Sequence, residues 1–231
     1  AYESQLKSAR AELHRCVAAA IESRDAAASD ENAALIARHL EAAGDLHGAY
    51  GWHMRAATWA TNRDLPAARL SWERAVQIAD ALPDDGSDRL PIRIAPRTML
   101  CGTAWRVRVG VAGPDFDELR ELCAAAGDQA SLAIAMAGPL FEHAYHARIR
   151  EASELASEHM ALVESIGDPN LTVGLSPPVL YTKVEAGEYS DALRWARRVI
   201  DLAGGQASIG DFLIGSPVSF AYASRAIARY A

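Results

Sequence analysis

The chain has 231 residues, half of them hydrophobic, and a formal charge of −7. The hydrophobic share is ample for a buried core and argues against intrinsic disorder, while the acidic balance excludes the broad basic face of a general nucleic-acid binder. No apolar run approaches the roughly 18–20 residues of a membrane span. Ala1 to Arg15 is polar with a helical pattern, unlike a signal peptide, and three widely spaced cysteines (Cys16, Cys101, Cys123) suit a reducing compartment. A cytoplasmic protein is expected.

Ala, Leu, Arg and Glu dominate and β-branched runs are scarce, which favours helix. In chain order, residues 2–22 and 30–43 are expected to form a first helical hairpin, with Ser29 or Asp30 as cap. Residues 46–62 and 65–82 form the second, about 92–109 and 115–126 the third, 129–147 and 150–166 the fourth, and 170–186 and 189–203 the fifth. Residues 211–230 read as the first helix of a sixth unit. The chain has no starting Met and stops inside that pattern, so it is expected to be a fragment of a longer protein.

These segments recur with a period. Gly-Asp pairs end helical runs at Gly44 and Asp45, Gly127 and Asp128, and Gly167 and Asp168; Asp84, Asp85 and Gly86 fall between the first two, and Gly204 and Gly205 follow the last. From residue 45 to 85, 128, 168 and 205 the spacings are 40, 43, 40 and 37. The Gly supplies a left-handed residue that ends one helix, and the Asp caps the next or shapes the connecting turn. A second series, Pro96, Pro139, Pro177 and Pro217, keeps the same step with spacings of 43, 38 and 40. Two readings of it stand: each Pro starts a late helix, or each breaks a helix and frees a backbone carbonyl. The expected architecture is all-α, a right-handed superhelical stack of about five antiparallel hairpins plus one terminal helix. It forms one helical-repeat domain, 1–231, with units at about 1–44, 45–84, 85–127, 128–167, 168–204 and a partial 205–231.

The second unit resembles the tetratricopeptide repeat through Trp52, Ala56 and Trp59 in one helix and Ala68, Trp72 and Ala75 in the next. Small residues let two backbones approach while the tryptophans fill the space beside them. The fifth unit keeps the repeat's turn in Ala186, Gly187 and Glu188, followed by Ala192, Ala196 and Val199, whereas the fourth matches through Leu140, Ala152 and Ala156 and the third poorly. The period near 40, against 34 in the strict motif, makes the chain tetratricopeptide-like. A narrower resemblance rests on residues 37–45 with Ala49, Tyr50, Arg55, Ala56 and Ala57, and on residues 2–22. These look like the helical-repeat region that follows the ATPase module in large bacterial signalling proteins, including actinobacterial (mycobacterial-type) adenylate cyclases and related regulators with a DNA-binding tail. The resemblance implies a sensing or scaffolding role, with any cyclase chemistry and ATP binding elsewhere in the parent; the alternative it allows is a ligand-sensing domain of an ATPase-type transcriptional regulator.

Chemical motifs point away from catalysis and from a bound cofactor. The segment 204–210 has glycines but no Lys for a phosphate loop. Glu142, His143 and His146 share a helix segment without the further ligands zinc requires. Carboxylates at Asp115, Asp117 and Glu118, and at Glu151, Glu154 and Glu158, suit solvated helix faces. Laid on the repeat's register, the first helices line a groove presenting Tyr50, His53, Ala57 and Thr61 in the second unit, Phe141 and Tyr145 in the fourth, and Tyr181 and Glu185 in the fifth. Such a groove suits a protein or peptide segment, of another protein or of the same parent chain, or a small ligand.

Overall fold

The structure is a computed structural model and describes residues 7–24, 30–83, 89–107, 116–213 and 215–231. The boundary expected at residues 84–86, the cap at Ser29 and the carboxylate of Asp115 lie outside them. The described residues form twelve α-helices, one 3₁₀ turn and no strand. Two compact units divide the chain, residues 1–100 and residues 101–231.

The first unit contains α1 (Lys7–Arg24), α2 (Ala33–Ala42), α3 (Leu46–Ala60), α4 (Leu65–Ala81) and most of α5 (Arg89–Gly102). Each of the first three packs on the next in sequence. The Asp45 carboxylate accepts from the Gly48 amide and that of Asp64 from the Ala67 amide, so both N-termini are capped. The small-large-small pattern of the second repeat does what close packing requires: Ala56, Ala68 and Ala75 are buried and Trp72 is 1% exposed. Trp72 anchors a cluster with Ala57, Ala60 and Leu100, against which Trp59 packs. Trp52 stays partly exposed under the Arg55 guanidinium, 4.6 Å from its ring centre.

The second unit holds a 3₁₀ turn at Ala104–Arg106, then α6 (Phe116–Ala126), α7 (Gln129–Tyr145), α8 (Ile149–Ile166), α9 (Pro169–Gly174), α10 (Ser176–Glu185), α11 (Tyr189–Ala203) and α12 (Pro217–Tyr230). A first helix rests on both helices of the hairpin before it: α10 packs on α7 and α8, and α12 on α10 and α11. Leu140, Met160, Val179, Leu180, Trp195 and Val199 form the core between them. Here α7 is drawn in closely, because a Cβ on Gly138 would lie 2.0 Å from the Cys101 carbonyl oxygen.

The period has a plain conformational basis. Gly44, Gly127, Gly167 and Gly204 all take positive φ at helix ends, and Asp45, Asp128 and Asp168 cap the helices that follow. Several expected bounds change. The first helix of the third unit stops at Gly102, not 109, and that of the fifth is interrupted at Leu175. The last helix starts at Pro217, not at 211; residues 207–212 are turns. The four prolines divide equally: Pro177 and Pro217 start helices, while Pro96 and Pro139 sit inside continuous ones.

Candidate functional site

The six groove candidates fall into two groups, one in each unit. Phe141 and Tyr145 lie one helical turn apart on α7, and Tyr181 and Glu185 occupy the same two places on α10, 40 residues later. The repeat therefore brings these four side chains to neighbouring first helices. Phe141, 4% exposed, forms the floor. Its ring centre is 5.6 Å from that of Tyr145 and 6.0 Å from that of Tyr181, and the two tyrosines meet edge-on at 5.7 Å. Tyr145 stands 54% exposed.

Trp105, in the 3₁₀ turn, completes the cluster. Its ring lies 4.4 Å from Phe141 and 6.4 Å from Tyr145, and its indole N–H is buried without a hydrogen-bond partner among the described residues. Only its place 40 residues before Tyr145 hinted at this. Burial raises the Tyr145 phenol above its ordinary value; for Tyr181 burial and then the Glu185 charge act the same way. Both phenols are therefore neutral at pH 7. The patch offers aromatic faces and one exposed carboxylate.

The other two candidates sit differently. Tyr50 is half-buried, its hydroxyl donating to the Ile92 carbonyl at 3.0 Å, and burial pushes its phenol up to about 12. His53 is buried, as are Ala57 and Thr61, so this part of the expected groove face is turned into the first unit. Thr61 donates to the Ala57 carbonyl at 2.7 Å.

Around His53 the structure assembles a polar group that sequence spacing did not show. Its Nε2 meets Glu41 Oε1 at 2.6 Å, and Arg74 donates through Nε and Nη2 to the other carboxylate oxygen, Nε at 2.6 Å. Burial alone raises the Glu41 carboxyl, but the bonds from Arg74 and His53 outweigh it and hold the group ionised. His53 is shifted down, by burial first, against the opposing pull of Glu41. The three residues come from α2, α3 and α4, up to 33 positions apart, which is why no local motif announced them. They edge a cavity of about 730 Å³ that Arg38, Leu70 and Ala67 also line.

A second polar cluster is structural. Lys183, 1% exposed, donates to the Ser153 carbonyl and hydroxyl at 3.2 and 2.9 Å, to the Ser157 hydroxyl at 2.9 Å and to Glu188 at 2.6 Å. The ammonium is thus saturated and ties α10 to α8 and to the turn before α11. Set against known proteins, the chain matches no family model and no curated protein.

Proposed function

We propose that this chain is a non-catalytic, tetratricopeptide-like interaction module, a right-handed stack of hairpins that serves as a regulatory part of a multidomain signalling protein. The aromatic patch on α7 and α10 is its recognition surface, and its occupant is an extended protein segment carrying apolar or aromatic side chains and one basic residue. The observation that carries the reading is the set of mutual ring contacts among Phe141, Tyr145 and Tyr181 with Tyr145 left largely in solvent. Rigid aromatic side chains give large contact area at small cost in conformational entropy, and they dominate protein recognition sites. Glu185 beside them supplies the charge that selects a Lys or Arg on the partner.

Selection from a random peptide display library, followed by titration of the chosen peptides, tests this. Selected peptides should pair an aromatic with a basic residue, and Glu185→Lys should turn the preference towards acidic ones. Selection that ignores charge and is unchanged by Glu185→Lys sinks the proposal.

A further inference from the structure

We infer that the cavity in the first unit binds a small organic acid, its single carboxylate held between Arg38 and Arg74 and its apolar body lying against Ala67 and Leu70. The volume of about 730 Å³ lies in the usual range for small-molecule sites. Its wall combines what such a ligand needs. Two arginines, Arg38 and Arg74, line it together with one carboxylate, Glu41, which Arg74 already engages. With His53 neutral, the wall carries one uncompensated positive charge, matching one negative charge on a ligand. Among the described residues Arg38 has no ion-pair partner, so it is available to a bound anion.

One further observation points to an occupant. Leu70 is 68% exposed at the cavity, an apolar side chain left in water where a ligand would cover it. The two bonds from Arg74 to Glu41 Oε2 fix one side of the site in advance, so the ligand meets a prearranged cation.

Calorimetric titration with 1-naphthylacetate tests the site, with neutral 1-naphthylacetamide as the control. The acid should bind and the amide bind at least about tenfold more weakly, a difference of about 1.4 kcal/mol. Arg38→Gln should weaken the acid about tenfold without lowering the melting temperature, and Ala67→Trp, which fills the cavity from an exposed helix position, should abolish binding. Tyr145→Ala, in the other unit, should leave it unchanged, which separates this site from the peptide surface. Absence of binding by the acid at millimolar concentration, equal binding of the amide, or indifference to both cavity variants overturns the inference.

Discussion

The hydroxyl of Tyr50 donates to the Ile92 carbonyl at 3.0 Å, and that carbonyl is the one Pro96 leaves without a helical donor. A proline inside a helix has no N–H for the residue four positions earlier. Here a side chain from α3 takes the place of the missing amide. Tyr50→Phe should cost about 1 kcal/mol, the net value of such a bond. In a Pro96→Ala background the alanine amide serves Ile92 instead, and the same substitution should cost distinctly less. A double-mutant cycle by urea denaturation measures the coupling; equal costs in both backgrounds would show that the two residues act independently.

Ala147 holds a positive φ of 57° in the turn between α7 and α8, where Gly187, 40 residues later, holds 72° between α10 and α11. Both turns close alike: Arg148 N–H reaches the His143 carbonyl and Glu188 N–H the Lys183 carbonyl, each at 2.9 Å. A Cβ is strained in that conformation and a glycine is not. Ala147→Gly should therefore stabilise the fold by about 1 kcal/mol, while Gly187→Ala destabilises it similarly. Paired thermal melts check both signs.

These two relationships mark how far the sequence could be read. Gly44, Gly127, Gly167 and Gly204 announced helix ends because the left-handed conformation leaves few alternatives to glycine. The prolines were legible in position and not in role. Whether a proline starts a helix or sits within one depends on what happens to the carbonyl four residues back, and for Pro96 that is decided by Tyr50, 42 positions from Ile92. The same limit applies to the sites. The register placed Phe141, Tyr145 and Tyr181 on adjacent first helices because they repeat at the hairpin step. Glu41, His53 and Arg74 meet only through the packing of α2, α3 and α4, and burial of Lys183 in an otherwise apolar stripe depends on Ser153, Ser157 and Glu188 converging on it.

His159 gives the fold a definite response to acid. It is 0% exposed on α8, and its Nε2 donates to the Ala133 carbonyl at 2.9 Å. Burial pushes its imidazole down to about 4, against the smaller upward pull of that bond. In the unfolded chain the group titrates near 6.5, so between these values the unfolded state binds more protons. The stabilising effect of keeping His159 neutral is complete above about pH 6.5 and is lost as the pH falls towards 4, a change of about 3 kcal/mol. His159→Gln keeps a donor for Ala133 and removes the titration. Urea denaturation at pH 7 and near pH 4.5 should show a shallower acid decline in the variant; identical declines would assign the acid sensitivity to other groups.

The interaction-module reading stands or falls on whether the aromatic patch is surface or core. Tyr145→Ala with Tyr181→Ala, compared with the unaltered chain by thermal melting and by titration of a display-selected peptide, measures both properties on one pair of samples. A recognition surface requires peptide binding to weaken at least about tenfold while stability changes by no more than about 1 kcal/mol per substitution. A large fall in melting temperature, or binding that survives both substitutions, would contradict it.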